Sequence, residues 1–431
     1  MALADSPLIR VFRNRDYLLY TLGNSVSLIG LWVQRLAVGW LTWQLTQSGF
    51  WLGAVAFADL FPALVFGPFA GVLADRFDRT RILCVTQTIS LLQAVALWLL
   101  YETDQVNVYI VFALTLGLGI NASITQPARL ALVPQLVRNE DLNTALALNS
   151  VLFNSARFVG PVVAGVIIGI SDLGKTFLFN ALSYVAMIVA LLYIIPTPPR
   201  RSGQPRSVLH DMWQGIRYSA RHASIGPLLL LIAAVAVLAK PIADLLPGFA
   251  GQVFERGEQG LVWLTSAMGA GSIIGGIWLA QRASVTGLPA IALGATALTG
   301  ATLAAFAATS HFGIALTLVL IASGAISVVG TCTQTLVQQI VDDDKRGRVM
   351  SLWGLVFRGA PALGVLAMGA ASEWFGLSAP VMGGALLCLV FAVWALRWRR
   401  RLDQEVAAQQ EVRSLADGAR PNGARDEFNP R

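Results

Sequence analysis

Residues 71–101 read GVLADRFDRTRILCVTQTISLLQAVALWLLY. The last twenty, 82–101, form one run without a charged side chain, directly behind a stretch that carries Asp75, Arg76, Asp78, Arg79 and Arg81. A bilayer core of roughly 30 Å needs about 20 apolar residues of helix. The run has the length of a membrane span, and the charged stretch before it has the make-up of a loop at the water boundary.

The same ruler finds twelve such segments, at 17–45, 49–72, 82–101, 106–127, 143–170, 175–195, 226–250, 260–280, 287–309, 312–336, 349–372 and 377–397. Composition agrees. Of 431 residues, 55% are hydrophobic and 13% charged, and the mean hydropathy is +0.64. Soluble domains are nearer a quarter charged, and a water-soluble fold cannot hide this much apolar side chain. Soluble enzymes, nucleic-acid binders and disordered chains are thereby excluded, which leaves a polytopic membrane protein whose first partner is the lipid bilayer. The three histidines form no ligand cluster, and Cys84, Cys332 and Cys388 lie apart in apolar segments as small hydrophobes. No metal site, cofactor site, Walker loop or catalytic triad is found, so no enzyme is expected.

Charge sets the orientation. The N-terminus, loops 73–81, 128–142, 196–225, 281–286 and 337–348, and the tail (with Arg397) collect 25 of the Lys and Arg residues. The loops on the other side carry only Lys175 and Arg256. Cytoplasmic loops accumulate cations, so both termini are expected in the cytoplasm of a multi-pass protein of the inner (cytoplasmic) membrane, and the helix count is expected to be even. The net charge of +7 belongs to this asymmetry rather than to a nucleic-acid partner. Trp40, Trp43, Trp51, Trp98, Trp263 and Trp374 fall near the outer helix ends, as an aromatic belt requires. The stretch after the polar first 16 residues is too long for a signal core and is expected to remain as helix 1.

The chain repeats itself. LVPQLV at 132–137 returns as LVQQIV at 336–341, an offset of 204 that also pairs Leu148 with Leu352, Phe153 with Phe357 and Gly160 with Gly364. GVLADR at 71–76 returns as IWLAQR at 277–282. The expected fold class is therefore all-α integral membrane, with twelve transmembrane helices in two pseudo-symmetric six-helix bundles. The domains are an N-terminal bundle at 1–195, a cytoplasmic linker at 196–225, a C-terminal bundle at 226–400 and a flexible cytoplasmic tail at 401–431. Within the linker, Val208, Met212 and Ile216 recur every four residues beside Arg217 and Arg221, so 207–222 reads either as an interfacial helix facing lipid phosphates or as a plain connection.

GVLADRFDRTR at 71–81 resembles the cytoplasmic loop signature of the major facilitator superfamily, matching at Gly71, Leu73, Asp75, Arg76, Asp78 and Arg79. TQSG at 46–49, PARLALVPQLV at 127–137, GPVVAG at 160–165, DMWQGIRYSARH at 211–222 and RGRVMS at 346–351 resemble its drug and siderophore exporter branch, which includes the enterobactin exporter. The resemblance implies that Asp75 sits at the N-terminus of helix 11, where the helix dipole favours an anion. Arg76, Asp78 and Arg79 would then pair across the seam between halves and gate the inner side, with Gly71 allowing close helix contact. The other reading is a solvated basic loop. Gly160, Pro161 and Gly165 resemble the helix 5 motif of antiporters; the proline frees a carbonyl and the glycines permit close packing.

Six ionisable residues lie at hydrocarbon depth: Arg35, Asp59, Arg157, Lys240, Asp244 and Arg358. Each costs at least about 2.5–3.5 kcal/mol at the bilayer centre, so each needs a partner or a wet cavity. Arg35 and Asp59 stand at nearly equal depth on the helix 1–2 hairpin and are expected to pair, either as a structural bridge or as a proton-coupling pair. Asp59 is the leading coupling carboxylate, and Arg35 and Arg157 are the other candidate coupling residues. Lys240 and Asp244 are spaced i to i+4 and are expected to neutralise one another or to form an outer gate. Four cations against two carboxylates favour anionic or oxygen-rich cargo. Arg358, Asn154, Gln34, Trp32, Asn121 and Trp353, with Asn24, Gln126, Gln334 and Phe57, are candidate cavity liners; packing between helices is their other fate. Drug antiporters of the superfamily often carry a mid-membrane Arg on helix 4; here that helix has only Arg129, at its cytoplasmic end, and Arg157 stands in.

The expected function is a secondary exporter, monomeric and driven by the proton gradient, working by alternating access. Uptake or uniport, and a non-transporting sensor or scaffold, are the alternatives.

Overall fold

The computed structural model describes residues 7–194, 208–282 and 286–418, with the side chains at 7, 68, 71–76, 208, 209, 211 and 409–418 outside the description. The described residues fold almost entirely into helices. A short α1 (Pro7–Arg13) leads into α2 (Arg15–Thr46), followed by α3 (Gly49–Leu60), α4 (Pro62–Arg76), α5 (Arg79–Glu102), α6 (Val108–Leu136), α7 (Leu142–Ile170) and α8 (Gly174–Leu192). Next come α9 (Val208–Arg221), which lies in the linker, and then α10 (Ile225–Leu238), α11 (Ile242–Gly248), α12 (Gly257–Ala280), α13 (Leu288–Ala308), α14 (Phe312–Ile340), α15 (Arg346–Phe375) and α16 (Ser378–Gly418).

Among the described residues, 11 helical segments are long and apolar enough to cross a membrane, with α3–α4 and α10–α11 each counting as one. At 32 residues α2 is long enough too, but Asn24, Ser27, Gln34 and Arg35 dilute its apolar character. The protein is thus an all-α, multi-pass membrane protein.

Polar side chains set the helix boundaries. Asn14 accepts from the amides of Asp16 and Tyr17 at the start of α2, and Ser48 accepts from Trp51 at the start of α3. Each satisfies an amide that a helix N-terminus leaves open. Two expected spans are broken. Pro62 has no amide hydrogen and interrupts helix 2 at Phe61. Pro241 does the same to helix 7, leaving Ala239–Pro241 outside both α10 and α11. Residues 207–222 form the helix α9, the first of the two readings of that segment. The tail departs from expectation: α16 runs on as helix to Gly418, past position 401 where composition predicts a flexible tail. Leu402 and Val406, one turn apart, are buried against the body, and Glu405 binds the Ser224 hydroxyl. Residues 419–431 lie outside the described residues.

The packing has a simple plan. α2 packs on α7 and α8, and α5 on α6 and α8. In the second half, α14 packs on α12 and α13, and α16 on α13. The two sets meet along α3 with α15 and along α7 with α12. Small residues make these contacts close, as membrane helices require when lipid competes for apolar faces. A Cβ on Gly53 would lie 2.6 Å from the Val365 carbonyl oxygen, and one on Gly369 would lie 2.5 Å from that of Gly49. On α12 a Cβ at Gly275 would meet the Gly324 carbonyl oxygen at 2.5 Å.

Candidate functional site

The α2–α3 hairpin turns at Gln47, which takes the left-handed conformation (φ 47, ψ 30) and donates to the Trp43 carbonyl. Arg35 lies 11 residues before Thr46 and Asp59 10 after Gly49, which places each about 15 Å from the turn at 1.5 Å per residue. The two meet as the spacing predicts: Arg35 Nη2 is 3.4 Å from Asp59 Oδ2.

A third group closes the cluster. Arg35 Nη2 also donates to Asp244 Oδ1 at 3.2 Å. The expected pairing of Lys240 with Asp244 gives way to this contact. An i to i+4 pair needs a regular helix between its members, and the break at Pro241 removes it. Lys240 turns to α15, where its Nζ donates to the Phe357 carbonyl at 2.6 Å and lies 3.8 Å from the centre of the Phe357 ring. The carbonyl and the ring face supply what a buried ammonium lacks in lipid.

Trp32 stands one turn before Arg35 and takes two guanidinium groups, with Arg35 Cζ 5.4 Å and Arg157 Cζ 5.6 Å from its ring. Gly160 makes this approach possible, since a Cβ there would strike Trp32. Gly165 serves α7 again, facing Val262 of α12 where a Cβ would come within 2.6 Å. Pro161 lies inside α7 and the helix runs through it. Arg358 and Asn154 are exposed, with the Asn154 amide donating to the Ser150 carbonyl at 2.8 Å.

Several expected cavity liners take their other fate. Gln34 is buried, donating to Gln93 Oε1 at 2.8 Å and accepting from Asn180 Nδ2 at 2.7 Å. Asn121 donates to the Thr86 carbonyl and the Ser90 hydroxyl, both at 2.8 Å. Both residues join helices within the first set, because a buried amide in lipid must find partners inside the protein. Asn24 is fully buried in the same set. Trp353 is buried and stacked on Phe357, with its indole N–H donating to Thr333 at 3.3 Å.

Of the loop motif, Asp78 caps α5 by accepting from the Arg81 amide at 2.8 Å. Arg79 is half-buried, and the side chains of Gly71, Asp75 and Arg76 lie outside the described residues. α4 does pack against α15, with Leu64 filling the space at Gly359.

Sequence reasoning missed Gln93, Asn180 and Glu373. Glu373 accepts from the Ser48 hydroxyl at 2.7 Å and the Phe50 amide at 3.1 Å, tying the end of α15 to the start of α3. Its signal was a lone carboxylate at a helix end, which says nothing of its partner.

Membrane-length helices here enclose a cluster of half-buried ions, the arrangement of a polytopic membrane protein. The family model described as transmembrane secretion effector, of the major facilitator superfamily, matches residues 9–417, and the chain belongs to that family. It is 24% identical over 393 residues to the staphyloferrin A transporter of Staphylococcus aureus, covering 88% of this chain and 95% of that one. It is 24% identical over 409 residues to the enterobactin exporter EntS of Escherichia coli, covering 90% and 94%. Among solved structures it resembles a mutant form of the peptide transporter POT, with a TM-score of 0.72 at 12% identity over 90% of this chain and 95% of that one. The protein is a secondary transporter of small organic molecules and not an enzyme.

Proposed function

We propose that this chain is a proton-coupled exporter of small organic molecules of drug or siderophore-like, anionic and oxygen-rich chemistry. It works as a monomer of twelve membrane helices in two six-helix halves, with both termini in the cytoplasm. The names of the staphyloferrin A transporter and the enterobactin exporter support the cargo class.

One observation carries the reading: Arg35 lies between two carboxylates, Asp59 from the first half and Asp244 from the second. A guanidinium shared in this way responds to either ligand. A proton on Asp59 removes one of its partners, and a cargo anion competes for the same guanidinium. Two ligands that act on one group change each other's affinity, which is coupling in the thermodynamic sense. Arg157, Lys240 and Arg358 leave the cluster with surplus positive charge for the cargo.

Alternating access is supported by the seam. Gly49, Gly53 and Gly369 hold α3 against α15, and Gly165 sits on Val262, all toward the end that carries the 46–48 turn. With that end shut, cargo enters from the other side, where the basic loops lie.

The test is transport by the purified protein in vesicles under an imposed pH gradient, with anionic metabolites, siderophores and antibiotics as cargo. Movement that follows the gradient and runs opposite to the protons supports the reading. Accumulation that ignores the gradient, or that runs with the protons, contradicts it.

A further inference from the structure

We propose that the cleft between α9 and the start of α15 is a binding site for a phosphate-bearing anion. The cleft has a volume of about 400 Å³, and its lining includes Arg217, Tyr218, Arg221, His222, Lys345 and Arg348. It stands apart from the Arg35 cluster and does not depend on the transport reading.

The charges are arranged for an anion. Arg217 and Arg221 are exposed and one turn apart on α9, and among the described residues neither has an acidic partner at ion-pair distance. Paired guanidinium groups match phosphate oxygens with parallel hydrogen bonds. The neighbouring acids are already engaged. Asp343 pairs with Arg346 at 2.5 Å and Asp344 with Lys345 at 3.3 Å. Asp342 accepts from the Tyr218 hydroxyl at 2.9 Å and lies 3.9 Å from Lys345. No carboxylate is among the described residues that line the cleft.

The two walls belong to elements with different jobs. Gly215 brings α9 against the backbone of Arg348, where a Cβ would lie 3.3 Å from the carbonyl oxygen. α15 then continues to Phe357 and Arg358, beside Lys240. An anion seated in the cleft ties the linker helix to a helix of the seam. Trp213 and Ile216 are exposed on the adjoining flank of α9, a surface suited to the lipid interface. A phospholipid headgroup and a soluble phosphate compound are therefore the two sources of the same chemistry.

The experiment measures binding to the full chain in two arms. Pyrophosphate is titrated against protein in neutral detergent, read by tryptophan fluorescence. Protein in phosphatidylcholine nanodiscs, with and without phosphatidylglycerol, is assayed by thermal unfolding. We expect saturable binding or stabilisation in at least one arm, weakened at least tenfold, or abolished, in Arg217→Gln/Arg221→Gln and unchanged in Arg138→Gln. The pyrophosphate arm alone identifies a soluble anion, and the phosphatidylglycerol arm alone a headgroup. No response in either arm, an undiminished response in the double variant, or an equal loss in Arg138→Gln overturns the site.

Discussion

Arg35 and Asp244 meet at 3.2 Å across 209 positions of sequence, joining a helix of the first half to the broken helix that opens the second. The contact is a polar link between the two sets of helices, and it shares its cation with Asp59. Any movement of one set against the other must therefore break or reshape it. Asp244→Asn keeps the shape and removes the charge. We expect the distance between spin labels on α2 and α11 to broaden by several ångströms in the variant. An unchanged, single distance shows that the pair does not hold the seam.

The glycine contacts of α3 with α15 make a second prediction. Gly53→Val forces a branched side chain toward the Val365 carbonyl oxygen. Overpacking of this kind costs about 1–3 kcal/mol. It falls on the conformation in which α3 and α15 touch, so the variant should favour the alternative one. Cysteine labelling on the 46–48 turn side would rise several-fold. Labelling equal to the parent protein would mean that α3 and α15 do not separate.

The amide cluster of Gln34, Gln93 and Asn180 predicts a stability loss rather than a cargo defect. Gln34→Leu leaves two buried amides short of a partner, at about 1–3 kcal/mol each. The melting temperature in detergent should fall, with KM for cargo nearly unchanged. A raised KM at unchanged melting temperature would return Gln34 to the cavity.

Lys240 predicts the reverse. Its ammonium has a carbonyl and a ring face for company, and Lys240→Met preserves most of that volume. Affinity for anionic cargo should drop about tenfold, which corresponds to roughly 1.4 kcal/mol, while neutral cargo is little affected. Equal loss for both classes contradicts a role in charge selection.

Much of this was legible in the sequence, for identifiable reasons. Apolar runs such as 82–101 have to be helices because lipid offers the backbone no partners. The Arg35–Asp59 pair was legible because both residues count from one turn. The partner of Asp244 was not. The i to i+4 rule pointed to Lys240, and only the break at Pro241 frees Asp244 to reach α2. For Gln34 and Asn121 two fates stayed open for a related reason: a polar residue in an apolar run signals that it needs a partner, not whether the partner is cargo or a neighbouring helix. The helix after Arg401 escaped notice because polar composition hid Leu402 and Val406, which are buried a turn apart.

The coupling role of Asp59 is most directly tested by proton and cargo fluxes measured together in vesicles, for the parent protein and for Asp59→Asn. The account predicts that the variant loses cargo movement driven by the pH gradient and proton movement driven by cargo, while cargo-for-cargo exchange persists. Proton fluxes in Asp59→Asn that match the parent protein would contradict it.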